Sequence, residues 1–172
     1  MRWTGSWHTV FVTVDRTGGA LLNDDLEKRL AQHVEPYRMA GHDIEFDDPE
    51  FVSLELELQV CVLDGYLRSD VRAGLLRELG RGTLAGGRLG LFHPDRLSFG
   101  QVVFLSPVYA AARRVPGVAS VNVTAFQRQG LKDRRFLDQG FMALSRLEIP
   151  RLDNDPSFPE HGVLRLNMIG GR

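Results

Sequence analysis

A single cysteine, Cys61, stands in a chain of 172 residues. One thiol can neither close an internal disulfide framework nor build a cysteine zinc cluster, and its place inside a strand-like pattern reads as a packed side chain. No neighbouring group is organised to lower its pKa, so a nucleophilic role has no support. Charge of one sign is also missing in excess: the formal net charge is −1, without the basic surplus of a dedicated nucleic-acid binder. Long apolar runs are absent, since "HTVFVTV" and "QVVFLSPVYAAA" fall well short of the roughly 20 residues that span a bilayer. The first residues lack an apolar segment leading to a small-residue cleavage site, so the expectation is cytoplasmic synthesis without membrane contact. The five histidines, His8, His33, His42, His93 and His161, form no pair at a metal-ligand spacing, and no serine sits in a nucleophile-elbow pattern.

What is present is an alternation of strand and helix patterns long enough to bury a core without staples. The β-branched stretch His8 to Asp15 predicts a strand closed at Gly18 and Gly19. Leu22, Leu26, Leu30, Val34 and Tyr37 recur at helical spacing behind the capping candidates Asn23 to Asp25. A short strand over 41–46 precedes a stronger one over 51–62, where Val52, Leu54, Leu56, Leu58, Val60 and Val62 alternate with Ser53, Glu55, Glu57 and Gln59. A helix over 68–79 is expected to start at Ser69 and stop at Gly80, and another over 106–115 to start at Ser106-Pro107. Between them, residues 80–100 form a loop longer than ordinary connections. Strands are predicted over 118–126, 142–149 and 163–169. The order suggests an α+β fold: a ferredoxin-like βαββαβ sandwich with an interrupted second crossover and a C-terminal β extension, divided as 1–127 and 128–172.

Few residues carry chemistry. The glycines of "GRGTLAGG" follow a helix, whereas phosphate cradles follow a strand and open a helix, so a flexible loop is the better reading. Glu55 and Glu57 share a strand face about 6 to 7 Å apart, near a glycosidase separation, but such a face is more simply a solvated one. "RLDNDPSFPEHG", residues 151–162, opens like a calcium loop at Asp153 and Asp155. Phe158 and Leu164 then stand where that loop needs glycine and glutamate, which leaves Asp153 and Asp155 as weak calcium candidates and favours a turn stiffened by Pro156 and Pro159. No catalytic residue and no cofactor is assigned.

Several segments taken together point to a family. "RWTGSWHTVFV", "YRMAGH", "GLFHPD", "FGQ", "VPGV" and "RLDNDP" resemble the C-terminal region of baseplate assembly proteins of the baseplate J-like family, found in phage tails and contractile injection systems. The resemblance runs over essentially the whole chain. It implies a structural wedge component without enzymatic activity, joined to other wedge subunits and to the sheath-proximal ring in a hetero-oligomeric particle, with no nucleic-acid or membrane partner. Trp3, Trp7, Phe92, His93 and Phe99 are the interface candidates, because aromatic side chains anchor protein contacts. Two other classes fit an α+β layout: a small ligand-binding regulatory domain and, less well, a hydrolase using Asp153, Asp155 or Glu57.

Overall fold

The computed structural model describes residues 2–3 and 8–172, in two compact units, Met1–Glu50 and Phe51–Arg172. The fold is mixed α+β, with four α-helices and several sheets among the described residues.

In the first unit, β1 (Arg2–Trp3) pairs antiparallel with β2 (His8–Thr13). Chain direction then reverses through α1 (Asp24–Val34), and β3 (His42–Asp47) returns parallel to β2, in register from His8 opposite His42 to Thr13 opposite Asp47. A parallel pair needs a crossover of this length, which α1 supplies. Asn23 caps the helix as expected: its side-chain oxygen accepts the Leu26 amide at 3.1 Å. Asp24, Asp25 and Glu27 occupy the first turn, the positive end of the helix dipole. No residue of α1 is buried, and among the described residues of this unit only Thr9 and Pro49 are buried. Phe11, Val12, Leu21, Tyr37 and Met39 are exposed.

The second unit is organised around β4 (Glu50–Val62). Its alternation is the core: Leu54, Leu56, Leu58 and Val60 are wholly buried. After α2 (Arg68–Leu79), a short β5 (Val103–Phe104) leads into α3 (Leu105–Arg113). Neither helix uses the serine cap expected from its sequence; Leu67 and Phe104 occupy the cap positions and give no side-chain hydrogen bond. Gly74 of α2 lies against Val115, where a Cβ would stand 2.7 Å from a methyl group, so the missing side chain permits the close approach. Strand β6 (Val118–Arg128) pairs antiparallel with β4. Next come α4 (Arg135–Gln139), a short helix with no counterpart in the sequence reading, and β7 (Phe141–Met142), which pairs with β5. Strands β8 (Glu148–Arg151) and β9 (Val163–Gly170) both join β4, β9 in parallel. One predicted strand over 142–149 is therefore two, belonging to different sheets.

The strands are apportioned differently from a single βαββαβ sheet. β2 and β3 form a sheet with β1, while β4 takes β6, β8 and β9 as partners. Alternation in sequence marks a strand but not the strand it pairs with. β8 and β9, drawn from residues 128–172, thus complete the sheet of the second unit.

Side chains bond part of the edge of β9 that faces away from β4. Arg72 donates to the Leu166 carbonyl at 3.0 Å and Arg68 to the Gly170 carbonyl at 2.5 Å, while Asn154 accepts the Leu164 amide at 2.9 Å. These residues share one parity along the strand, so all three groups point the same way.

Candidate interaction surface

The polar face of the β4 sheet is laced across strands. Glu55 accepts from Gln127 on β6 at 2.7 Å and from Arg165 on β9, and these hydrogen bonds hold its carboxyl below the usual carboxylate range. Glu57 accepts from Asn167 at 2.6 Å. The two carboxylates thus act as rungs between neighbouring strands, and nothing in their surroundings sets them up as an acid and base pair.

A third carboxylate, Glu148, carries no local sequence pattern that marks it. Glu148 is 9% exposed and bidentate with Arg128, both contacts 2.8 Å, and the Ser145 amide donates to it at 2.7 Å. The Arg128 hydrogen bonds lower its pKa to about 2. Its only sequence signal is an acid at a strand start with an arginine twenty residues earlier, which no local pattern connects.

The loop 151–162 is a clasp. Asp153 has only 4% of its side chain exposed, and its carboxylate meets Arg151 at 2.7 Å, Arg81 at 2.9 Å and the His161 ring at 3.5 Å. Two guanidinium groups and an imidazole thus converge on one carboxylate, which pairs its charge. Asp155 accepts the Ser157 amide at 2.8 Å, a local turn of the kind expected for this sequence. Asn154 adopts the left-handed conformation, φ 51°, that aims its side chain at β9. Among the described residues no three His, Cys, Asp or Glu side chains gather where they could hold a metal ion.

Beside the clasp opens a cleft of about 760 Å³ whose lining includes Arg77, Arg81, Arg88 and Arg114 with Glu78 and Asp153. Arg88 is bidentate with Glu78, at 2.8 and 2.5 Å, and Arg114 shares the same carboxylate at 3.3 Å. Both lower the Glu78 pKa. Arg96 joins Arg88 and Arg114 in an adjoining hollow. The glycines mark this stretch as a loop, whereas its chemistry lies in the arginines spaced along residues 77–96.

Of the interface candidates, Phe92 is 3% exposed and packs in the core, because the loop turns back on α2 through the Leu91 amide bonding the Glu78 carbonyl at 2.9 Å. It is a core residue and not a surface anchor. Phe99 is partly buried against the same core. The half-buried His93 accepts the Asp95 amide at 3.2 Å. Trp3 lies in β1, and Trp7 falls outside the described residues. No helix among the described residues is long and apolar enough to cross a membrane.

Comparison with known families gives one finding: the model of the baseplate J-like central domain matches residues 1–47. The similarity to the baseplate J-like family therefore lies in the first unit and with a central domain, not with a C-terminal region over the whole chain as the sequence segments suggest. No curated protein matches the chain.

Proposed function

We propose that this chain is a structural component of the baseplate of a phage tail or contractile injection system, working through protein contacts. The observation that carries the reading is the match of residues 1–47 to the baseplate J-like central domain. The exposed apolar side chains of the same unit, Phe11, Val12, Leu21, Tyr37 and Met39, support it, because a surface of that composition is what partner proteins cover. In this reading the chain is a wedge subunit in a hetero-oligomer, contacting other wedge subunits and the sheath-proximal ring. Trp3, Trp7, His93 and Phe99 are its contact residues. No catalytic step and no cofactor enters the role.

The test is assembly. Trp3→Ala/Trp7→Ala is expected to remove most intact tails from negative-stain micrographs of the producing cells, with the chain left in the unassembled fraction. Phe92→Ala is expected to destabilise the chain itself, seen as a lower melting temperature of the isolated protein. Purified particles that lack the chain yet assemble in normal number would overturn the proposal.

A further inference from the structure

The formal net charge of −1 conceals two opposed units. Residues 1–50 contain ten acidic and five basic residues, a net of −5, and residues 51–172 contain twelve acidic and sixteen basic, a net of +4. The basic excess has a defined place. Arg77, Arg81, Arg88, Arg96 and Arg114 surround the cleft and its adjoining hollow, and Glu78 and Asp153 are the carboxylates that line it.

These arginines are underused. Arg88 and Arg114 share one carboxylate while each keeps half of its side chain exposed. Arg77 and Arg96 are exposed and bond only main-chain carbonyls, Arg77 that of Ala73 and Arg96 those of Leu89 and Gly90. A guanidinium presents a planar fork of five donors that matches carboxylates two bonds at a time, so four forks with spare donors form a surface complementary to a row of carboxylates.

Such a row exists on β3. Asp43, Glu45 and Asp47 are exposed on one side of the strand, about 6.6 Å apart. Glu45 and Asp47 have no ion-pair partner among the described residues; Asp43 lies 3.8 Å from Arg38. Phe11, 40% exposed, stands opposite Glu45 in the parallel register and so shares its face. An aromatic ring among carboxylates suits arginine twice, since the guanidinium plane stacks on the ring while its edge bonds the acid.

We propose that the arginine cleft of one copy docks the acidic β3 face of a second copy. Each copy carries both surfaces, so the contact is head-to-tail: a docked pair still offers one free cleft and one free acidic face. The contact is built from solvent-exposed ion pairs, each weak and screened by salt, and is therefore steeply dependent on ionic strength. It stands apart from the baseplate reading, which requires other proteins but no second copy.

Sedimentation velocity on the full chain tests it. At low salt the weight-average mass is expected to climb with concentration, and at about 0.5 M salt to return toward the monomer. Arg77→Glu/Arg96→Glu and, separately, Glu45→Arg/Asp47→Arg are each expected to weaken self-association by at least about tenfold. All four residues are exposed, and circular dichroism verifies that the variants fold; Arg77→Ala/Arg96→Ala provides a milder version of the first. Mixing the two reversed variants is the decisive arm, because one keeps the acidic face and the other the cleft. The mixture is expected to form a one-to-one complex that grows no further. A chain that stays monomeric at every salt concentration overturns the proposal, as does a mixture that forms no complex or reversed variants that associate like the parent.

Discussion

The two units of this chain are folded by different means. In residues 51–172 a thirteen-residue strand supplies an unbroken alternation, and helices and partner strands bury its inner row completely. In residues 1–50 the same backbone logic produces strands and a capped helix, but among the described residues only Thr9 and Pro49 are buried. Secondary structure thus does not require a dense core, whereas resistance to unfolding does, since burial of apolar surface is the dominant favourable term. The first unit leaves apolar and acidic side chains outward, and it is the part that resembles a known family.

That contrast can be broken most directly in the core. Leu58→Ala removes a wholly buried side chain and is expected to cost about 3 kcal/mol, read as a lower denaturant midpoint, whereas Leu30→Ala on the half-buried face of α1 is expected to cost under about 1 kcal/mol. Equal losses would erase the distinction between the units. Glu148→Gln is expected to cost a comparable amount, about 3 kcal/mol, because it leaves Arg128 without its bidentate partner. The same pair sets an acid limit on the second unit. Its folded pKa of about 2 lies below the ordinary 4.5, so the stabilisation is complete above pH 4.5 and fades as pH falls toward 2. Glu148→Gln should flatten that part of the stability profile; an unchanged acid slope would assign it elsewhere. A further small effect belongs to the first unit. Asn23→Ala loses one cap bond and is expected to cost about 1 kcal/mol, with amide exchange quickening in the first turn of α1 and not in α2.

How much of this was legible follows from how locally each feature is written. The inner row of β4 was plain, because an alternation of six apolar residues has one physical reading. The N-cap of α1 was plain for a similar reason, since an asparagine before an acidic turn bonds within three residues. In β6 the pattern misleads: Val123 and Phe126 are both buried although three apart. The register with β4 slips between Glu57 and Leu58, opposite Ala125 and Val123, so Thr124 is an extra residue that resets the phase. Strand pairing was not legible, and β3 joins β2 in place of a common sheet because that choice rests on contacts between distant segments. Nor was the enclosure of Asp153, whose partner Arg81 is 72 positions away. The acids of that loop stand out by their density, while of the two arginines that answer Asp153 one, Arg151, is adjacent and the other is far off in the chain.

The partly bonded margin of β9 bears on how this protein meets others. A strand with idle amides and carbonyls is a universal adhesive: it accepts almost any extended segment, and each arrival offers the same invitation to the next. Here Arg68, Arg72 and Asn154 have already spoken for three of those groups, at Gly170, Leu166 and Leu164. Each group so occupied interrupts the repeat an added strand would need, and it puts a side chain, which can discriminate among neighbours, where bare backbone would accept any of them.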